Sequence, residues 1–430
     1  MIIATASHAA LYLYHDSVFN AGLLAGTGEA GLIIASTTVT NTGGGIIAAG
    51  SDCLVRLLGA DIVGGTLTSS GSGQITTSRG KALVKSGVNI LDGTTSILTN
   101  RAKVVIADNT ALTIEGSIVN ADKILVGGET HLTNLIVGVA GVTLSGGGAV
   151  NLGENTLNRL YGATGATTLT NFDNTLSGAG LLGNGQLTLD NQTKGVIDAT
   201  GTTVLNIDTG ASRIVNAGTI EATGAGGLAI AGEIYNAGET LARNANVTIG
   251  GNVSGAGKEI IYGSATLAIG SSFGGGASQA VSFAAGATGT FKIDQAEHFA
   301  GTLRGLATGR TLDLGDINFA TASLTFSGSA NRGVLVVTDG TTTANITLIG
   351  AYAQANFALA DDSGGHTDVT YNGTGMAAVT PPAAAASIVP SHQFIAAMAA
   401  LGADNAAAVH ATAHTFHTAA MLLAPRTQIA

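Results

Sequence analysis

The sequence predicts an all-β fold, a right-handed parallel β-helix (solenoid) with a short α-helical C-terminal tail. Three observations carry this reading. Asn-bearing segments recur about every 20 residues. Short β-branched runs alternate with Gly, Asn, Asp and Ser, the signature of strands and turns. All four prolines, Pro381, Pro382, Pro390 and Pro425, lie after residue 380. Because proline lacks the N–H that a sheet ladder needs, residues 1–380 read as continuous sheet with turns.

The strand candidates follow in order. Leu32-Ile33-Ile34, Lys103-Val104-Val105-Ile106, Leu112-Thr113-Ile114, Lys123-Ile124-Leu125-Val126, Gln186-Leu187-Thr188-Leu189 and Val204-Leu205-Asn206-Ile207 are each bounded by turn residues. Alternation such as Leu187/Leu189 puts one side chain inward and the next outward.

Spacing then selects the architecture. Asn100 and Asn120 are 20 apart, as are Asn151, Asn171 and Asn191; Asn216-Ala217-Gly218 returns as Asn236-Ala237-Gly238. A fixed period marks a repeat fold. The strict Leu frame of leucine-rich repeats is absent, and helical repeats are longer and poor in Gly. In a β-helix, Asn can take the left-handed conformation at a corner. Stacked amides can also bond one another, so Asn151, Asn171, Asn191, Asn216 and Asn236 are the expected structural ladder. At about 4.8 Å per coil, roughly 18 coils would span on the order of 85 Å.

Composition bounds the function. The 430 residues include 64 Gly, 45% are hydrophobic and 10% are charged. Disorder is excluded by the apolar content, and collagen by the absence of Gly at every third position. Lys and Arg number 17 against 27 acids, a net charge of -10, which argues against a nucleic-acid partner. Cys53 is the single cysteine, so no intrachain disulfide forms. The N-terminus has no basic residue ahead of its short apolar stretch and does not read as a cleavable signal. No apolar run reaches the roughly 18 residues of a spanning helix.

Residues 1–298 are read as the β-helix repeats and 299–375 as larger, irregular β-coils that end the solenoid. Asp339-Gly340 marks a hairpin between two strand runs. Residues 376–391 are an Ala/Pro linker, and 392–430 a helical tail. There Phe394, Ile395, Met398 and Leu401, then Val409, Ala413, Phe416, Ala420 and Leu423, recur at helical spacing.

The stretch Leu169-Thr170-Asn171-Phe172-Asp173-Asn174-Thr175-Leu176-Ser177-Gly178-Ala179-Gly180, followed by GLLGNGQLTLDNQTKGVIDATG and VNAGTIEATGAGGLAI, resembles the β-strand-repeat proteins of Gram-negative bacteria. These are large exported polypeptides of adhesin or autotransporter type. Gly333–Tyr371 is similar to a unit found near the end of such chains. The resemblance covers roughly 20–375. It implies a secreted or cell-surface location, export machinery, and glycan, extracellular matrix or other cells as partners. It brings no catalytic residues. An autotransporter would end in a membrane barrel of amphipathic strands; here that barrel is missing, so export by another route or a detached passenger part is expected.

Several residues invite a chemical reading. His410, His414 and His417 would share a helix face and could hold a transition metal, although HATAH lacks the Glu of HExxH. Asp361, Asp362 and Asp368, with Gly364 and Gly365, are candidate calcium ligands, the plain Asp/Gly turn being the alternative. Asp190, Asp198 and Asp208 do not match the coil period and read as turn residues rather than a polysaccharide-cleaving site. Gly274-Gly275-Gly276 lacks the Lys-Ser/Thr of a phosphate loop. Cys53 reads as a small buried residue, and Tyr12, Tyr14 and Phe19 as docking or capping groups. The expected function is therefore non-enzymatic, multivalent binding by an adhesin stalk. A carbohydrate-active β-helix enzyme and a pure structural spacer are the alternatives.

Overall fold

The computed structural model describes residues 1–79, 87–274 and 279–373. The linker expected at 376–391 and the tail at 392–430, with His410, His414 and His417, lie outside those residues. The described chain is an all-β, right-handed solenoid of about 13 turns.

Each turn visits three faces in a constant order. The first face opens with Ile2–Ala4, the second with Leu11–Tyr14 and the third with Ser17–Phe19. The next turn lays Leu23–Gly26, Leu32–Ala35 and Thr38–Thr40 on them in parallel register. This continues to Thr290–Ile293 and Thr302–Arg304. In three turns the corner between third and first faces is bridged by one long bent strand, Asn89–Arg101, Ala111–Asn120 and Thr133–Ser145. The first two of these shift register at the bend, between Gly93 and Leu98 and between Ile114 and Gly116.

Side-chain alternation builds one continuous core. On the second face the inward row runs Leu32, Val55, Ile75, Val104, Ile124, Val150 and on to Ile220, one residue per turn. All but one of those row members are fully buried, and each stabilises the fold by about 1.5–3 kcal/mol. Thr240 and Glu259 interrupt the row, and Val281, Leu303 and Leu348 resume it.

There are fewer turns than the expected 18 because turns are not uniform. Ladder partners lie 20 residues apart in some turns and 25 in another. The end also departs from the expectation of larger coils over 299–375. Thr311–Asn318 still pairs in parallel with the turn before it. Its other edge takes His366–Tyr371 antiparallel, and that strand takes Phe357–Asp361. On the second face, Thr343–Ile349, Arg332–Thr338 and Ser323–Gly328 form an antiparallel meander. A short loop can only reverse the chain, so a turn such as 339–342 enforces antiparallel pairing. Phe326, Tyr352, Phe357 and Tyr371 pack over the last layer with ring centroids 4.8–6.1 Å apart. Among the described residues, no helix is long and apolar enough to cross a membrane.

Candidate functional site

Polar chemistry in this fold has two locations, the corner between first and second faces and the outward rows of the sheets. At the corner, the consecutive first-face strands Thr168–Asn171, Thr188–Asn191, Ile214–Asn216 and Ile234–Asn236 all end in Asn. Asn171 Nδ2 donates to Asn191 Oδ1, Asn191 to Asn216 and Asn216 to Asn236, each at 2.8 Å. These four side chains are fully buried. Asn100 donates to Asn120 in the same way. The next turn carries Gly146 and Gly147 at this corner, and Asn174 bonds Asn120 across the gap at 2.8 Å.

Asn151 does not belong to this row. It ends a second-face strand, Ala149–Asn151, and donates to Ser177 Oγ at 2.9 Å. Its 20-residue distance from Asn171 is accidental, because that interval is not one full turn of the chain. Nor are the ladder Asn residues left-handed; Asn109, Asn184 and Asn244, at other corners, are.

The ladder ends on an acid. Asn236 Nδ2 donates to Glu259 Oε1 at 2.8 Å, and Gln279 Nε2 reaches the same oxygen from the next turn at 3.5 Å. An atom approached by donors on both sides must be an acceptor, which a carboxyl oxygen is. Glu259 is fully buried, and burial pushes its carboxyl up to about 7.

On the outward rows, the second face stacks Asp198 on Glu221 in adjacent turns. Arg243 Nε donates to Glu221 Oε2 at 3.0 Å, and its guanidinium lies 4.4 Å from the Tyr262 ring centre. Thr223 Oγ1 donates to Asp198 Oδ1 at 2.8 Å. Burial is the main reason both carboxyls sit above their usual range; Asp198 adds to the rise of Glu221, and Arg243 only partly offsets it. Sequence reading missed this group. Its signal was the Glu221–Arg243 separation of 22 residues, one turn plus the two-residue step that keeps a side chain on the same face, which is visible only once turn length is known.

Asp190, Asp198 and Asp208 are not brought together. They belong to first-face, second-face and third-face segments respectively. Asp190 accepts from Gln192 Nε2, and Asp208 caps the Gly210 amide.

The candidate calcium ligands also part. Asp361 Oδ1 accepts the amides of Ser363 and Gly365, and Asp362 Oδ1 those of Gly364 and His366. Those backbone bonds hold the Asp362 carboxyl below its usual range. Asp368 faces Asp313 across the antiparallel pair, and Lys292 Nζ donates to Asp313 Oδ2 at 2.9 Å. Burial first, then Asp313 and Asp362, push the Asp368 carboxyl up. Among the described residues no group of three or more His, Cys, Asp or Glu could hold a metal ion. Cys53 is buried, which raises its thiol; it packs in the core.

The third face carries an open groove of about 430 Å³. Its floor is the outward row Leu181, Asn206, Ala229 and Thr248, one side chain per turn in register. Asp208 and Gly250 form part of its wall.

No protein-family model matches the chain, and a search of curated proteins finds no significant match.

Proposed function

We propose that the chain is a non-enzymatic binding stalk of adhesin type, exported to the surface or surroundings of a Gram-negative bacterium. The observation that supports this most is the third-face groove. It lies on a sheet whose strands are hydrogen-bonded on both sides, and it offers a side chain about every 4.8 Å along the stack. Amide, hydroxyl and aliphatic groups in that sequence suit the hydroxyls and apolar faces of an extended glycan. Weak contacts repeated along a stiff body add up by avidity when several copies share a surface.

The test is binding of the full chain to glycan arrays and matrix proteins. Substituting Asn206→Ala together with Ala229→Arg should weaken capture by at least about fivefold, roughly 1 kcal/mol. Blank arrays would leave a spacer without ligand. A second reading, a carbohydrate-active enzyme, draws on Asp198, Glu221 and Arg243. Release of reducing ends or unsaturated products from a polysaccharide panel, abolished by Glu221→Gln, would replace the adhesin reading with that one.

A further inference from the structure

The outward row that floors the third-face groove continues into the preceding turns, and there it changes character. Arg159 stands in register with Leu181, and Asn134 with Arg159. From Asn134 through Arg159, Leu181, Asn206 and Ala229 to Thr248, Arg159 is the one charged side chain. The next cation along the row, Lys292, is held by Asp313 and Asp294. Arg243 and Lys258 on the second face hold carboxylates as well. Arg159 has no ion pair among the described residues, and its buried Nε has no hydrogen-bond partner. Asn134 Oδ1, one turn before it, is also buried without a partner. A buried polar group left unpaired is costly, so both atoms favour a ligand that pairs them. Tyr161 lies on the outer side of the same strand, two residues on and so about 6.6 Å along it. In register with it in the next turn is Gly183, which has no side chain to cover the ring. The φ of +102° at Gly183, and the Asp208 carbonyl oxygen that a Cβ would strike, keep that position open.

We propose that Arg159 and Tyr161 form a carboxylate-reading subsite at the head of the groove, and that the ligand is a glycan carrying an occasional hexuronate among neutral sugars. The inference rests on the glycan-binding reading of the groove and names its ligand class. A guanidinium grips a carboxylate through two parallel N–H donors, and the Nε edge of Arg159 supplies such a pair. The Tyr161 ring offers a flat apolar surface to the sugar that bears the carboxylate. Asn134 Oδ1 accepts from one of the sugar hydroxyls. Leu181, Asn206, Ala229 and Thr248 are uncharged and suit neutral units; from Arg159 to Thr248 the row runs four steps, about 19 Å. A densely charged polyanion fits poorly. It would meet one unpaired cation along this row, Asp208 in the groove wall and a chain of net charge -10.

The test titrates the full chain with tetrasaccharides that carry one glucuronate or galacturonate among neutral hexoses. Each is paired with a counterpart whose carboxyl has been reduced to a primary alcohol. The native chain should bind the acid form at least about tenfold more tightly than the reduced form. Arg159→Gln should bring the two affinities to within about twofold of each other. Tyr161→Ala should weaken both forms and keep their ratio. Equal affinities in the native chain, or a preference that survives Arg159→Gln, overturn this inference and leave the glycan-binding reading standing. Failure to bind either form overturns it too, and the glycan arrays then decide separately whether the reading of the groove survives.

Discussion

Glu259 occupies a position that the inward row of the second face otherwise gives mostly to aliphatic side chains. The pattern Lys258-Glu259-Ile260-Ile261-Tyr262 reads locally as a strand, and nothing in it says that the acid faces inward. Tertiary stacking places it beneath Asn236, where it closes the amide ladder. The folded state holds its proton up to about pH 7, against an ordinary value of 4.5. Between those two values the folded chain binds more protons than the unfolded one, so stability falls as pH rises and levels off above about 7. The full loss is about 3 kcal/mol. Glu259→Gln keeps an acceptor for Asn236 and removes the charge. Urea unfolding at a series of pH values should show this decline in the native chain and a flatter profile in the variant. Asn191→Ala tests the ladder itself. It strips the acceptor from Asn171 and the donor from Asn216, both buried, and should cost about 1–3 kcal/mol in the same assay. A loss near zero would mean that the ladder contributes nothing beyond filling space.

At the level of elements, corners and hairpins decide where strands stop. Gly65 begins a first-face strand with φ +76°, and a Cβ there would collide with the backbone oxygen and side chain of Asn41. Gly65→Ala should therefore lower the thermal midpoint, whereas alanine at Gly22, where a Cβ meets nothing, should leave it unchanged. In the C-terminal meander, Asp339 Oδ1 accepts the amides of Thr341 and Thr342, each at 2.8 Å, and its Oδ2 that of Asn318 at 3.1 Å. These bonds hold the carboxyl well below the usual range. The contribution is present above the ordinary pKa and is lost as pH falls through the lowered one. Asp339→Ala should speed hydrogen exchange at Thr341 and Thr342 while leaving the amides of mid-stack strands as slow as before. Equal exchange in both chains would show that the loop holds its shape without the carboxylate.

On the scale of the whole stack, stability is shared between neighbours, since each turn touches only the turns above and below it. Among the described residues, the last layer is covered by antiparallel strands, whereas residues 2–19 pair with a neighbouring turn on one side. In the 430-residue chain, amides of residues 2–19 should exchange well before those of 98–249, whose strands pair on both sides. Protection as high at residues 2–19 as in mid-stack would contradict that one-sided pairing. Interior truncations should behave in the opposite way. Ile124→Ala, flanked in its row by Val104 and Val150, should cost about 2–5 kcal/mol because neither neighbouring turn can close the gap.

The strands, the turn residues between them, the parallel solenoid and the buried Cys53 were all legible in the sequence. Alternation, β-branching and the placement of Gly, Asn and Pro are local properties that act on the nearest few residues. The period of about 20 was legible too, since most ladder neighbours do lie one short turn apart. Tertiary structure alone decided which corner each residue reached. A spacing near 20 is a full turn only where both residues reach the same face, so Asn151 falls on the second face, Asp190, Asp198 and Asp208 fall on three successive faces of one turn, and Glu221 stacks on Asp198. The antiparallel cap has a local origin instead, since its short loops can only reverse the chain. Spacing in sequence becomes distance in space only after every intervening turn has closed.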